Sequence, residues 1–117
     1  MVTELDVDVL PSASDYKNTD TSLTQLSPEL QARLNPYPNG LPDSVQEQLT
    51  RRYADLFGVF LKHRHEISRV TFRGVSDADS WLNSWPLKGR TNYPLLFDRR
   101  DPPKPAFDAV IKAARHQ

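Results

Sequence analysis

The stretch that decides the fold runs from Arg69 to Asp98 and reads RVTFRGVSDADSWLNSWPLKGRTNYPLLFD. It opens on an apolar, β-branched run at residues 70–75, which is typical of a strand. A long loop follows, and its candidate binding side chains are Asp77, Asp79, Trp81, Asn83, Trp85, Lys88, Arg90, Asn92 and Tyr93. In α/β enzymes, catalytic and binding residues commonly lie on a loop of this kind that follows a strand. A surface loop with two packing tryptophans fits the spacing equally well.

Residues 2–9, VTELDVDV, alternate as a strand does. One face would carry Val2, Glu4, Asp6 and Asp8, and the other would carry Thr3, Leu5, Val7 and Val9. An edge strand with one solvated face gives this pattern. In an α/β protein the apolar face would instead meet the helices, and the acidic face would point into a site. Carboxylates that repel one another are a feature of catalytic sites, where the repulsion has a use.

Helical periodicity marks residues 43–65 and the chain after Pro105. The apolar stripe of the first helix is Val45, Leu49, Tyr53, Leu56, Phe57, Phe60 and Leu61, and it is expected to be core. Asp43 is expected to cap this helix, and Gly58 to mark a close packing contact. The order strand, helix, strand, helix predicts a parallel strand pair.

Residues 11–42 are rich in Ser, Thr, Asn, Asp and Pro. Ser27-Pro28-Glu29 is a helix start signal, which predicts a short helix to about Leu34. We interpret the segment as a long strand-to-helix excursion at the site end of the fold. A mobile linker without a role is the alternative.

Composition excludes several classes of function. The chain has 117 residues, with 15 basic and 15 acidic residues and no formal net charge, so no nucleic-acid partner is expected. No apolar run approaches the roughly 20 residues of a membrane span, and no signal peptide is evident, so no membrane partner is expected. The absence of cysteine excludes disulfides and thiolate metal sites. Asp77 and Asp79 do not begin a calcium loop, because Leu82 stands where that loop needs glycine.

Several blocks in this order resemble the family-10 glycoside hydrolases, the endo-1,4-β-xylanases. The matching blocks are Val70-Thr71-Phe72, Gly74-Val75, Asp77 to Asn83, Gly89 to Asp98 and Lys104-Pro105-Ala106. Thr3 to Val7 resembles the nucleophile strand of the family, and Arg52 to Arg64 resembles its next helix. The resemblance runs from Thr3 to about Lys112.

The resemblance implies an α/β fold, the last quarter of a (β/α)8 TIM barrel with strands 7 and 8 and their helices. A complete barrel needs roughly 250 residues, and the apolar share of 38% suits part of a domain. Residues 1–117 are therefore expected to be a C-terminal fragment of a catalytic domain, with 11–42 as a long loop. The remainder of the barrel, strands 1–6, would be its missing partner. The family is mostly secreted or periplasmic, and this sequence does not itself indicate a location.

The resemblance also implies the roles of individual residues. Glu4 matches the nucleophile of a retaining glycosidase, and Asp6 would orient a histidine of an earlier strand. Trp81 matches the tryptophan that lines the subsite at the cleavage point. Arg73 stands where the family usually has tryptophan, so a charge replaces an apolar wall beside Glu4. Trp85, Asn83 and Arg90 are expected mainly to hold the loop.

The implied substrate is xylan or a xylo-oligosaccharide, hydrolysed with retention, and no cofactor or metal is implied. Retention needs two carboxyl groups about 5–5.5 Å apart, and the family carries its acid/base glutamate on strand 4. The isolated chain is therefore expected to be inactive. One alternative function is a non-catalytic glycan-binding or protein-interaction fragment. Another is a helical adaptor that uses the stripe of residues 43–65.

Overall fold

The computed structural model of the chain describes residues 2–115. Its helices and strands, in chain order, are β1 (Val2–Leu5), α1 (Pro28–Leu34), α2 (Asp43–Lys62), β2 (Val70–Phe72) and α3 (Pro105–Arg115). The strands β1 and β2 pair in parallel, with Val2 opposite Val70 and Leu5 opposite Phe72. The predicted parallel pair and both β/α units are therefore confirmed. Both strands are shorter than the predicted runs of residues 2–9 and 70–75, because the backbone beyond them leaves the ladder for the loops.

The main core lies between the sheet and the two long helices. Its buried members are Leu49, Tyr53, Leu96, Ala106 and Val110, and partly buried Leu5, Val7, Val9, Phe57, Phe72, Phe97 and Phe107 pack against them. The ring of Phe57 on α2 stacks on Phe72 of β2, with centroids 6.0 Å apart. The predicted stripe of α2 thus contributes Leu49, Tyr53 and Phe57 to the core.

Residues 11–42 pack against the loop that follows β2. A second cluster joins buried Ala13, Leu23 and Leu34 to Leu87 of that loop. The backbone N–H of Leu23 also donates to the carbonyl of Lys88, at 2.7 Å. These contacts favour the packed excursion over the mobile linker. The predicted short helix is α1, and the Ser27 hydroxyl caps it by accepting from the Leu30 N–H at 3.3 Å.

Three details of α2 differ from the prediction. The helix ends at Lys62, and turns follow it. The cap position belongs to Pro42, so Asp43 is not the cap but the first helical residue, where its charge complements the helix dipole. The close packing expected at Gly58 was wrong, because a Cβ there would meet no atom within 4 Å.

The predicted continuous alternation of residues 2–9 is broken at Glu4. Its φ of 60° is in the left-handed region, and the register of the strand pair shifts between Val2 and Leu5. Leu5, Val7 and Val9 still pack on the core, which confirms that side of the pattern. Thr3 is exposed instead of packing with them. Asp6 and Asp8 follow the end of β1 rather than continuing it.

Candidate active site

Glu4 lies at the irregular end of β1, beside the residue that follows β2. The Arg73 backbone N–H donates to the Leu5 carbonyl at 2.9 Å, which holds the two strand ends together. Across them, Nη1 of Arg73 is 2.9 Å from Oε2 of Glu4. The Glu4 side chain is 68% exposed and that of Arg73 is 40% exposed. The ion pair is thus open to solvent, and a pair of this kind contributes little to stability.

The loop after β2 stacks three planar groups in a row. The guanidinium carbon of Arg73 lies 4.5 Å from the centre of the Trp81 ring, and Trp81 stacks on Trp85 with centroids 4.9 Å apart. Trp85 is 46% exposed at the outer end of this row. Gly74 makes the turn after Arg73, with a φ of 123°, and a Cβ there would lie 3.1 Å from Leu95. Only glycine fits this turn without strain.

Asp6 fixes the Trp81 ring from the β1 side. The indole Nε1 of Trp81 donates to Oδ2 of Asp6 at 2.8 Å. Burial raises the pKa of Asp6, while this hydrogen bond and the nearby Arg73 charge act in the opposite direction. The structure therefore brings Glu4, Asp6, Arg73 and Trp81 together. The hydrogen bond between Asp6 and Trp81 was not anticipated.

Asp77, a candidate binding residue, is a buried structural carboxylate instead. Its Oδ2 accepts from Nζ of Lys104 at 3.0 Å, and its Oδ1 accepts from the Leu95 N–H at 2.8 Å. Lys104 also donates to the Tyr93 carbonyl at 2.8 Å. Burial raises the pKa of Asp77 and lowers that of Lys104, against the mutual attraction of the pair. Sequence reasoning missed the role of Lys104, although the residue lies in one of the matching blocks.

Asn92 is likewise buried in internal hydrogen bonds. Its Nδ2 donates to Oδ1 of Asp8 at 2.7 Å, and its backbone N–H donates to Oδ1 of Asn83 at 2.8 Å. Arg99, which was not a candidate, donates to the same Asn83 oxygen at 2.6 Å. These side chains bind the loop to itself and to the end of β1.

Arg90 and Tyr93 tie the loop to residues 11–42. Arg90 Nε donates to the Leu34 carbonyl at 2.8 Å, and its Nη2 donates to the Pro11 carbonyl at 2.5 Å. The Tyr93 hydroxyl donates to the Tyr37 carbonyl at 2.5 Å. The contacts of Arg90 and Asn83 agree with a loop-holding role. Trp85 differs from them, because much of its ring faces solvent.

The remaining candidates, Asp79 and Lys88, are on the surface. Asp79 accepts from the Ser76 hydroxyl at 3.5 Å, and Lys88 forms an exposed ion pair with Asp20 at 3.4 Å. Across residues 2–115, no group of three or more His, Cys, Asp or Glu side chains is placed to hold a metal ion. Within the same residues, no helix has both the length and the apolar character needed to cross a bilayer.

Comparison with known proteins places this arrangement in a family. The profile of Glycosyl hydrolase family 10 matches residues 1–113. Endo-1,4-beta-xylanase A of Xylanibacter ruminicola is 41% identical over 110 residues, which are 94% of this chain and 29% of that protein. The chain belongs to glycosyl hydrolase family 10.

Solved structures give the same result for the fold. A GH10 endoxylanase from a sugarcane soil metagenome superposes with a TM-score of 0.78 at 48% identity, over 94% of this chain and 28% of the other. Xylanase B from Clostridium stercorarium F9 superposes with a TM-score of 0.69 at 35% identity, over 94% of this chain and 26% of the other. The chain thus spans between about a quarter and a third of the length of these relatives. Its two β/α units form the last quarter of a (β/α)8 barrel.

Proposed function

We propose that residues 1–117 are the C-terminal part of a catalytic domain that hydrolyses internal β-1,4-xylosidic bonds of xylan. The observation that carries this proposal is the position of Glu4. Its exposed carboxylate lies at the end of a parallel strand, beside Arg73 and the Trp81–Trp85 stack. A carboxylate next to a flat aromatic surface is what a retaining glycosidase presents to a sugar.

In the proposed reaction Glu4 is the nucleophile. Its Oε2 is engaged by Arg73, and Oε1 attacks the anomeric carbon as the bond to the leaving sugar oxygen breaks. A glutamate of the missing part of the barrel protonates that oxygen. The same glutamate then deprotonates a water molecule, which hydrolyses the glycosyl–Glu4 ester and gives a product of retained configuration.

The chain by itself lacks the second carboxyl group of this reaction. Asp6 is engaged with Trp81 and lies two residues after Glu4, just past the end of β1, so it does not lie across a bound sugar. General acid assistance is worth roughly 10²–10⁴-fold in rate. Orientation by the other substrate-binding residues can supply about 7–11 kcal/mol of the barrier. We therefore expect no measurable hydrolysis by the isolated chain.

The test is the release of reducing ends from xylan. The samples are the chain alone, and the chain mixed with a polypeptide that supplies the first six β/α units of a family-10 barrel. Only the mixture should be active, and Glu4→Ala should abolish that activity. Glu29→Ala, which removes an exposed acid on α1, is the matched control and should leave it unchanged. NMR of the first product formed should detect the β-anomer.

Two results would reject the assignment of Glu4. One is turnover by the chain alone, because that would show that the missing acid is not needed. The other is undiminished activity of the Glu4→Ala mixture.

A second candidate, a non-catalytic glycan-binding piece, is favoured by one observation. Trp85 presents 46% of its surface to solvent while stacked on Trp81, as a sugar-binding platform would. Binding of xylan by the chain alone that is lost in Trp85→Ala, together with an inactive mixture, would support this candidate over catalysis.

A further inference from the structure

Arg73 holds a charge in a fixed plane beside the candidate nucleophile. Its guanidinium lies over Trp81, and its ion pair with Glu4 uses one terminal nitrogen, Nη1. A guanidinium carries five N–H groups in a rigid fork. Within residues 2–115, this side chain has the ion pair with Glu4 and the stacking contact with Trp81, and its charge also interacts with the nearby Asp6 carboxylate. The edge formed by Nη2 and Nε therefore remains for a ligand.

This free edge has the chemistry of a carboxylate receptor. The guanidinium is always protonated, and its fork matches two carboxylate oxygens at once. Stacking on Trp81 orders the plane before a ligand arrives, so less conformational entropy is lost on binding. A neutral xylose unit offers hydroxyl groups to this edge, and these are weaker partners for a cation than a carboxylate is.

We infer that Arg73 is a specificity-determining residue that binds the carboxylate of a uronic acid side group on the xylose chain. The inference rests on the proposed function, because that function brings the sugar chain to Glu4. The contact of 2.9 Å between Arg73 and Glu4 puts the acidic side group at, or next to, the sugar whose bond is cleaved. Trp85, which stacks on Trp81 and is exposed at the outer end of the row, offers a face to the sugar rings.

Glu4 limits how strongly this edge binds an acid. Its carboxylate shares the same guanidinium and repels a second carboxylate nearby. A charge-assisted hydrogen bond favours an acidic ligand, and we expect the repulsion to reduce that preference to roughly tenfold. Neutralising Glu4 should therefore strengthen the binding of the acid. A purely structural arginine would not produce this effect.

The test uses the chain mixed with the polypeptide that supplies the first six β/α units, because the chain alone is expected to associate, and it compares two matched ligands. One is a xylo-oligosaccharide that carries a single glucuronic acid side group, and the other is the same compound with its carboxyl group reduced to an alcohol. Trp81 and Trp85 are the two tryptophans of the chain, so replacing them with 5-hydroxytryptophan, which is excited at longer wavelength than the tryptophans of the added polypeptide, gives a fluorescence signal that reports binding next to Arg73. We expect the acidic ligand to bind roughly tenfold more tightly, and the preference to fall as salt is added.

Variants separate charge, geometry and competition. Arg73→Gln should bind both ligands equally, and Arg73→Lys should retain part of the preference, because lysine keeps the charge but loses the fork. Glu4→Gln should increase the preference for the acidic ligand over the reduced ligand several-fold. Circular dichroism of each variant checks that its fold is unchanged. Sodium acetate at equal concentration should compete poorly, since it lacks the sugar.

Four outcomes would overturn the inference. They are equal binding of both ligands by the original chain, no binding of either, an undiminished preference in Arg73→Gln, and acetate binding as tight as that of the acidic ligand. The fluorescence readout needs no turnover. A reconstituted barrel that fails to hydrolyse xylan would therefore count against the proposed function alone.

Discussion

At the scale of single residues, Arg73 brings a charge to a position where the family resemblance implies a tryptophan. Its guanidinium occupies the space between Glu4 and the Trp81 ring. A planar cation can stack on an indole much as a second aromatic ring would. The arginine therefore keeps the stacking surface but brings a positive charge to Glu4, the proposed nucleophile.

Replacing that cation should change the rate on neutral xylan. In the reconstituted barrel, we expect Arg73→Trp to raise the rate of reducing-end release about fivefold. The substitution restores an apolar wall, and it frees Glu4 from an exposed ion pair worth up to about 1 kcal/mol. Arg73→Gln removes the charge without restoring the apolar wall, so its rate should lie between the rates of the original chain and of Arg73→Trp. A lower rate for Arg73→Trp than for the original chain would show that Arg73 assists Glu4.

At this scale the sequence predicts features that depend on neighbouring residues, and it does not predict contacts between residues far apart along the chain. Alternation along residues 2–9 placed Leu5, Val7 and Val9 on the core side, because that pattern is local. The hydrogen bond from Trp81 to Asp6 joins residues 75 positions apart, and no local pattern encodes it. The left-handed backbone of Glu4 was also missed, since glutamate carries no conformational signal of that kind.

At the scale of elements, the helices were predictable and the loops were not. The core face of α2 and the start of α3 at Pro105 follow from periodicity and from proline geometry. The loop after β2 is held by Arg90, which reaches the carbonyls of Leu34 and Pro11. Those acceptors are backbone groups of a distant segment, and a sequence does not mark them. Asp77 and Asn92 looked like ligand-binding residues because their side-chain partners, Lys104 and Asp8, lie 27 and 84 positions away in the sequence.

The buried ion pair that joins the loop to the start of α3 should dominate the stability of this region. We expect Lys104→Met to lower the free energy of unfolding by about 3–5 kcal/mol, because it leaves the Asp77 carboxylate buried without its cation. Adding Asp77→Asn should recover part of that loss, since the amide oxygen can still accept from the Leu95 N–H. Urea unfolding of the two variants in the reconstituted barrel measures both effects.

Lys88→Met is the matched control for that series. It removes a lysine whose ion pair with Asp20 is exposed, so it should change the free energy of unfolding by no more than about 0.5 kcal/mol. Equal losses of unfolding free energy in Lys104→Met and Lys88→Met would contradict a structural role for the buried ion pair of Asp77 and Lys104.

At the scale of the whole molecule, the two β/α units leave much of their surface without a partner. Among residues 2–115 the sheet has two strands, so each has an unpaired edge in the part of the chain that the structure describes. Val75 and Val59 are 68% and 52% exposed. The radius of gyration is 15.4 Å, against about 13 Å for a compact domain of this length. These features are those of part of a domain, in keeping with the share of its relatives that the chain spans.

The chain expressed alone should therefore associate or remain partly molten. The unpaired edges of β1 and β2 can pair with other copies, and exposed apolar side chains favour association. We expect oligomers or aggregates in light scattering, binding of the dye ANS, and a broad thermal transition. Adding the polypeptide with the first six β/α units should suppress dye binding and sharpen the transition, because it covers the same edges. An unrelated protein at equal concentration controls for crowding. A sharp two-state transition of a monomer, in the absence of any partner, would show that two β/α units suffice for a stable domain.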